Sequence, residues 1–190
     1  MSNNNVTNDS GPYARHVTLA GGLNSSAANQ VPHWNASNAT PVGGSIWHGL
    51  NQSAYYSFDG YNDVIGAPYA GELNLKNFTV EAWVRRGSAT PADQIIVSWL
   101  NETTSASAGS GWEMRLALGN LVFRMGDGST VSTLTGSVPL TNGEWAYVAA
   151  THSNETGSYN SMKIYLNGQK IGEKRDVLAD KLFLQGDGAR

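Results

Sequence analysis

Cleaving a glycosidic bond takes two carboxylates about 5 to 9 Å apart, one as acid and one as nucleophile or base. On a β-strand that means acids two or four residues apart. Glu81 and Glu113 are each the lone acid of their strand-like segment. His16, His33, His48 and His152 contain no pair at the three-to-five spacing of a metal site. They read as ordinary surface or loop histidines. The chain has no Gly-x-Ser-x-Gly elbow and no phosphate-binding loop. Without cysteine, thiol catalysis, zinc ribbons and disulfides drop out together. The sequence predicts no catalytic residue and no enzyme.

Binding chemistry is better represented. A hard cation such as calcium takes several oxygen ligands from carboxylates, amides and carbonyls on loops. Asp59, Asn62 and Asp63 could supply such a set, or could simply be turn residues. Aromatic side chains at a sandwich rim can stack on sugar rings. Trp34, Trp47, Tyr61 and Tyr69, with Tyr55, lie in predicted loops or strand ends and are candidates for that role. Trp34 and Trp47 could equally anchor the N-terminal segment. Trp83, Trp112 and Trp145 sit inside alternating segments, so core packing or contact between sheets is expected of them. Asn5, Asn8, Asn24, Asn35, Asn38, Asn51, Asn77, Asn101 and Asn154 each precede x-Ser or x-Thr, as in a glycosylated surface protein.

The elements that must position these residues read as strands. The 190 residues suffice for one domain with a core, and a second would have to be small. Only 14% of residues are charged, 22 are glycine, and the net charge of -3 offers no basic excess to follow a phosphate backbone. Nucleic acid is therefore not an expected partner, and no stretch is long and apolar enough for a membrane span. Met1 to Ser10 is polar with no export signal. Residues 1–50 hold one apolar alternation, Val17-Thr18-Leu19, in an otherwise polar run, and read as an arm with a first strand. Residues 51–190 read as the body. There Phe78, Val80, Ala82 and Val84 alternate with Thr79, Glu81, Trp83 and Arg85. Trp112, Met114, Leu116 and Leu118 form a second face, turned at Gly119-Asn120 into Leu121 to Met125. Ile95 to Leu100, Trp145 to Thr151, Met162 to Leu166 and Leu182 to Leu184 complete the strands, with Asn167-Gly168 as a type I′ hairpin turn. The fold class is all-β: an antiparallel sandwich or jelly roll with an extended N-terminal arm.

Four blocks carry a resemblance. Tyr56-Ser-Phe-Asp-Gly60 with Asp63, Phe78 to Val84, Gly143 to Thr151, and Lys163 to Gly168 resemble, in order, the signature of laminin-G-like, concanavalin A-like jelly rolls. That fold serves lectins, adhesins, glycosidases and structural modules alike. The closely spaced Glu and Asp of its glycosidases are missing here, as are the compact Arg, Gln, His and Tyr motifs of related lyases. Likeness to pentraxins implies calcium held by Asp93-Gln94, in the loop before Ile95, together with Gln185 and Asp187. The resemblance also implies one more strand after Leu184, pairing with the N-terminal strand. Its absence from this chain would leave the strand of Val17 and Leu19 with a bare edge for a partner chain.

The expected function is a non-catalytic structural or adhesive surface module. It would assemble through its arm and unpaired edge with itself or other subunits, in a virion or at an extracellular surface. The alternative is a calcium-dependent, glycan-binding, lectin-like module.

Overall fold

The computed structural model describes residues 6–7, 17–20, 33–37, 53–58, 63–67, 75, 77–87, 93–102, 109–155 and 159–176. Among them every regular element is a β-strand. The chain divides into two compact units, Met1–Tyr69 and Ala70–Arg190.

The first unit holds β1 (Val6–Thr7), β2 (Val17–Ala20), β3 (His33–Ser37), β4 (Ser53–Ser57) and β5 (Val64–Gly66). Here the structure corrects the bare edge. β2 pairs antiparallel with β1 through Val17 and Thr18, and with β5 through Thr18, Leu19 and Ala20. β2 thus has a neighbour of its own chain on each side, β1 reaching only Val17 and Thr18. Trp34 is the second residue of β3, paired with Tyr56 of β4, in keeping with a strand end.

The second unit is an antiparallel sandwich of two sheets, as the alternation predicts. One sheet runs β11-β10-β9-β7, from β7 (Asp93–Ser98), β9 (Gly109–Ala117), β10 (Asn120–Asp127) and β11 (Val131–Pro139), with the short β8 (Asn101–Glu102) also on β9. The other runs β14-β13-β12-β6, from β6 (Phe78–Arg85), β12 (Trp145–Glu155), β13 (Tyr159–Leu166) and β14 (Gln169–Asp176). Met114, Leu116, Leu121, Phe123 and Met125 of the first sheet pack with Ala146, Val148, Ala150, Met162 and Ile164 of the second. Full burial of such side chains stabilises by about 1.5–3 kcal/mol each. β6 adds Phe78, Val80, Ala82 and Val84 to this core, in the phase its sequence shows. Along one side the sheets are tied together: Ser137 Oγ donates to the Ile171 carbonyl at 3.0 Å, and Lys174 Nζ to Ser132 Oγ at 2.6 Å.

Several local details differ from the sequence reading. His152 is a core residue, 2% exposed, with its ring centroid 5.8 Å from that of Phe78. The β9–β10 turn is one residue earlier than Gly119-Asn120. Ala117 pairs with Asn120, so the loop is Leu118-Gly119, both at positive φ (50° and 88°). Leu118 therefore leaves the apolar face and is exposed. Asn167-Gly168 is the type I′ turn expected, at φ 50° and 80°. Gly111 is required by space, because a Cβ there would stand 2.0 Å from the Trp99 carbonyl oxygen. Asp93 and Gln94 belong to β7 and not to the loop before it. Leu182 to Leu184 lie outside the described residues.

Candidate functional site

Each sheet has an outward face, and the two faces carry different chemistry. In β6 the outward phase is Thr79, Glu81, Trp83 and Arg85. Its neighbour β12 turns Trp145, Tyr147, Ala149 and Thr151 the same way, opposite Arg85, Trp83, Glu81 and Thr79 in register. β13 follows with Tyr165 opposite Ala149 and Lys163 opposite Thr151. Two of the largest apolar side chains of the molecule thus face solvent, Trp83 at 64% exposure and Trp145 at 42%. Core packing was expected of both, and only Trp112 of the three packs on the core.

The open face is ordered by polar contacts. Trp83 and Tyr147 lie with ring centroids 5.5 Å apart, tilted by 50°. The Tyr147 hydroxyl donates to Glu81 Oε2. That hydrogen bond, followed by desolvation and the charge of Glu81, holds the phenol above its ordinary value. The Tyr147 backbone is pinned by Asn167, whose side-chain oxygen accepts from the Tyr147 N–H at 2.9 Å and whose N–H donates to its carbonyl at 2.8 Å. Arg85 lies over the ring of Trp145, with Cζ 5.8 Å from the centroid. The result is a row of aromatic surfaces interleaved with a carboxylate, a guanidinium and hydroxyls. Such a surface offers apolar area to the C–H side of a pyranose and hydrogen-bond partners to its hydroxyls.

The outward face of the other sheet is an ion-pair ladder. Glu113 points away from the core yet is only 3% exposed. Its Oε1 lies 3.3 Å from Arg115 Nη1 and 3.3 Å from Arg124 Nη1. Arg115 Nη2 reaches on to Asp93 Oδ2 at 2.7 Å. Asp93 and Glu113, from neighbouring strands, thus converge on one face, a pairing that spacing within a single strand does not reveal. The Arg115 guanidinium stands between them. A hydrolytic acid pair needs that space for the glycosidic oxygen or a water, so the convergence serves the sheet. On the aromatic face Glu81 and Glu173 are separated by three strand intervals, about 14 Å at the usual spacing, too far for the same chemistry.

The predicted site residues are dispersed. Asp93 is engaged with Arg115, and Gln94 is half-buried beside it in β7. Asp59, Gln185 and Asp187 lie outside the described residues, and Asp63 is half-buried just before β5. Among the described residues no group of three or more His, Asp and Glu is close enough to hold a metal ion. Trp47, Tyr61 and Tyr69 lie outside the described residues, as does the side chain of Trp34. Of the sequon asparagines, Asn77 is exposed, while Asn35, Asn101 and Asn154 are described only as strand positions in β3, β8 and β12. Asn5, Asn8, Asn24, Asn38 and Asn51 lie outside the described residues. Among the described residues no helix is long and apolar enough to cross a membrane.

The sequence reading missed Trp83, Tyr147 and Trp145 as a group, although the signal was available. Trp83 shares its phase with Thr79, Glu81 and Arg85, and Trp145 and Tyr147 alternate against Ala146, Val148 and Ala150. Phase outranks residue type at such positions. Residues 58–187, more than half of the chain, match the family described as the concanavalin A-like lectin/glucanases superfamily. A comparison with curated proteins found no match.

Proposed function

Because the chain belongs to the concanavalin A-like lectin/glucanases superfamily, we propose that it is a non-catalytic adhesive module that binds glycan through the outward face of the β14-β13-β12-β6 sheet. One observation carries this reading: Trp83, at 64% exposure, stands beside Tyr147 with the Glu81 carboxylate at hand. With Tyr147 against it and Trp145 exposed on the same face, Trp83 forms part of a contiguous apolar patch of the kind that partners cover. The absence of hydrolysis in this reading rests on four described carboxylates of the two outward faces: Asp93 and Glu113 are tied to Arg115, and Glu81 and Glu173 are three strands apart. Such a module would work at an extracellular or virion surface, where glycans are displayed.

The test is binding to a panel of soluble polysaccharides by affinity electrophoresis, with reducing ends assayed in parallel. At least one polymer is expected to retard the protein without being cut. Trp83→Ala should weaken that retardation about tenfold or more, the equivalent of about 1.4 kcal/mol, with the melting temperature unchanged. Retardation that survives Trp83→Ala contradicts the reading, as does release of new reducing ends.

A further inference from the structure

The aromatic row does not fill its face. From β6 towards β14 the outward positions change from rings to cations. Lys163 on β13 stands opposite Glu173 on β14, and Ser161 opposite Arg175. Lys170 stands opposite Tyr165 and reaches Glu173 with Nζ 2.5 Å from Oε2. The Glu173 carboxyl is held below its ordinary value, first by that hydrogen bond, with Lys163 and Arg175 adding to the charge of Lys170. Around this one acid stand three cations, and a fourth, Arg85, lies at the aromatic end. Of the acids whose side chains are described on this face, Glu81 is engaged by the Tyr147 hydroxyl and Glu173 by Lys170, while Glu155, of the same phase in β12, is described only as a strand position. In a chain of net charge -3, the described side chains of this face therefore carry more positive than negative charge, on the same sheet face as the exposed indole of Trp83.

We infer that the ligand of this face is an anionic polysaccharide: its pyranose rings stack on Trp83 and Tyr147, and its acidic substituents meet Lys163, Lys170 and Arg175. The inference rests on the glycan-binding reading above and adds the ligand's charge and length. Charge complementarity selects the substituent, since a neutral glycan leaves three cations around one carboxylate uncompensated. The register sets the length. Tyr147 and Lys163 are on adjacent strands and four residues apart along them, about 14 Å at ordinary strand dimensions. A single sugar does not cover that distance, so the occupant is an oligomer. Carboxylates and sulfates would satisfy the cations alike. Uronate and sulfate esters are therefore the two sources to separate.

The experiment measures affinity for polygalacturonate and for the same polymer after carboxyl reduction, and for a sulfated galactan and its desulfated form. Native protein should bind one or both anionic polymers at least about tenfold more tightly than the matched neutral form, with the advantage shrinking as salt rises to about 0.5 M. The better-bound member identifies the substituent. The double variant Lys163→Glu, Lys170→Glu should lose the advantage, and Trp83→Ala should weaken binding to both forms. Both variants should melt with the native protein, since these side chains lie outside the core. Equal affinity for anionic and neutral forms overturns the inference and leaves the glycan-binding reading standing. Binding to neither overturns both. Anionic binding that disappears in salt and ignores Trp83→Ala is simple ion exchange, and it too overturns the inference.

Discussion

The two sheets of the sandwich obey the same alternation and use their outward positions in opposite ways. On β9 and β10 the outward Glu113 and Arg124 are withdrawn from water and locked, with Arg115, into a charged ladder. On β6 and β12 the outward Trp83 and Trp145 are left in water. Charge is buried where apolar residues would be expected, and apolar surface is exposed where charge would be expected. The comparison teaches that one sheet face holds its charges in internal ion pairs, while the other leaves its aromatic rings in water, which is the surface our proposal gives to a glycan. A buried ion pair is costly to assemble and more costly to break. An exposed indole costs the fold little and has value only when covered.

The sharpest way to break this comparison is to make the same substitution on each face. Glu113→Gln removes the charge shared by two guanidinium groups and should cost about 3 kcal/mol. Glu81→Gln, on the open face, should cost about 0.5 kcal/mol or less. Urea unfolding of the two variants reads the difference directly. Equal losses would mean that the faces are not specialised.

A second comparison lies at the hairpins, since each sheet has one type I′ turn. The β13–β14 turn uses Asn167-Gly168, and the β9–β10 turn uses Leu118-Gly119, with both first residues at φ 50°. Asparagine tolerates that conformation, whereas leucine is strained there by about 1 kcal/mol. Leu118 is also 75% exposed, so it gives up little by leaving. Leu118→Asn should raise stability by about 0.5–1 kcal/mol, and Asn167→Leu should lower it by at least as much. Thermal unfolding of both variants provides the check.

The smallest effect concerns pH. The Tyr147 phenol is raised by its hydrogen bond to Glu81. Its folded-state proton is held more tightly than in the unfolded chain. The stability it contributes is thus complete below the ordinary phenol value and disappears as pH rises through the folded one. Phenol ultraviolet titration should find a late-titrating tyrosine that Glu81→Gln brings back towards the ordinary value. A Tyr147 unaffected by Glu81→Gln would remove the polar support from the aromatic row.

Much of the sandwich was legible in the sequence, because half-buried strands carry period two and Phe78 to Val84 shows it without interruption. The Asn167-Gly168 turn was legible for an equally local reason. The Leu118-Gly119 turn was not, because leucine carries no turn signal and its place is set by the Ala117–Asn120 pairing. The Asp93–Arg115–Glu113 ladder joins residues from two strands brought side by side by the fold, and no spacing along the chain contains it. His152 reads as polar by type and is buried by its phase, which it shares with Ala146, Val148 and Ala150. The aromatic face lay between these cases: its phase was visible, and the habit of assigning tryptophan to the core concealed it.

The central claim is that the β14-β13-β12-β6 face is the recognition surface. It is tested most directly by following the indole N–H resonances of the six tryptophans while an acidic oligosaccharide is titrated into labelled protein. The account predicts that Trp83 and Trp145 move together and saturably, while Trp99 and Trp112 stay in place. Saturable shifts that leave Trp83 and Trp145 unmoved would contradict it.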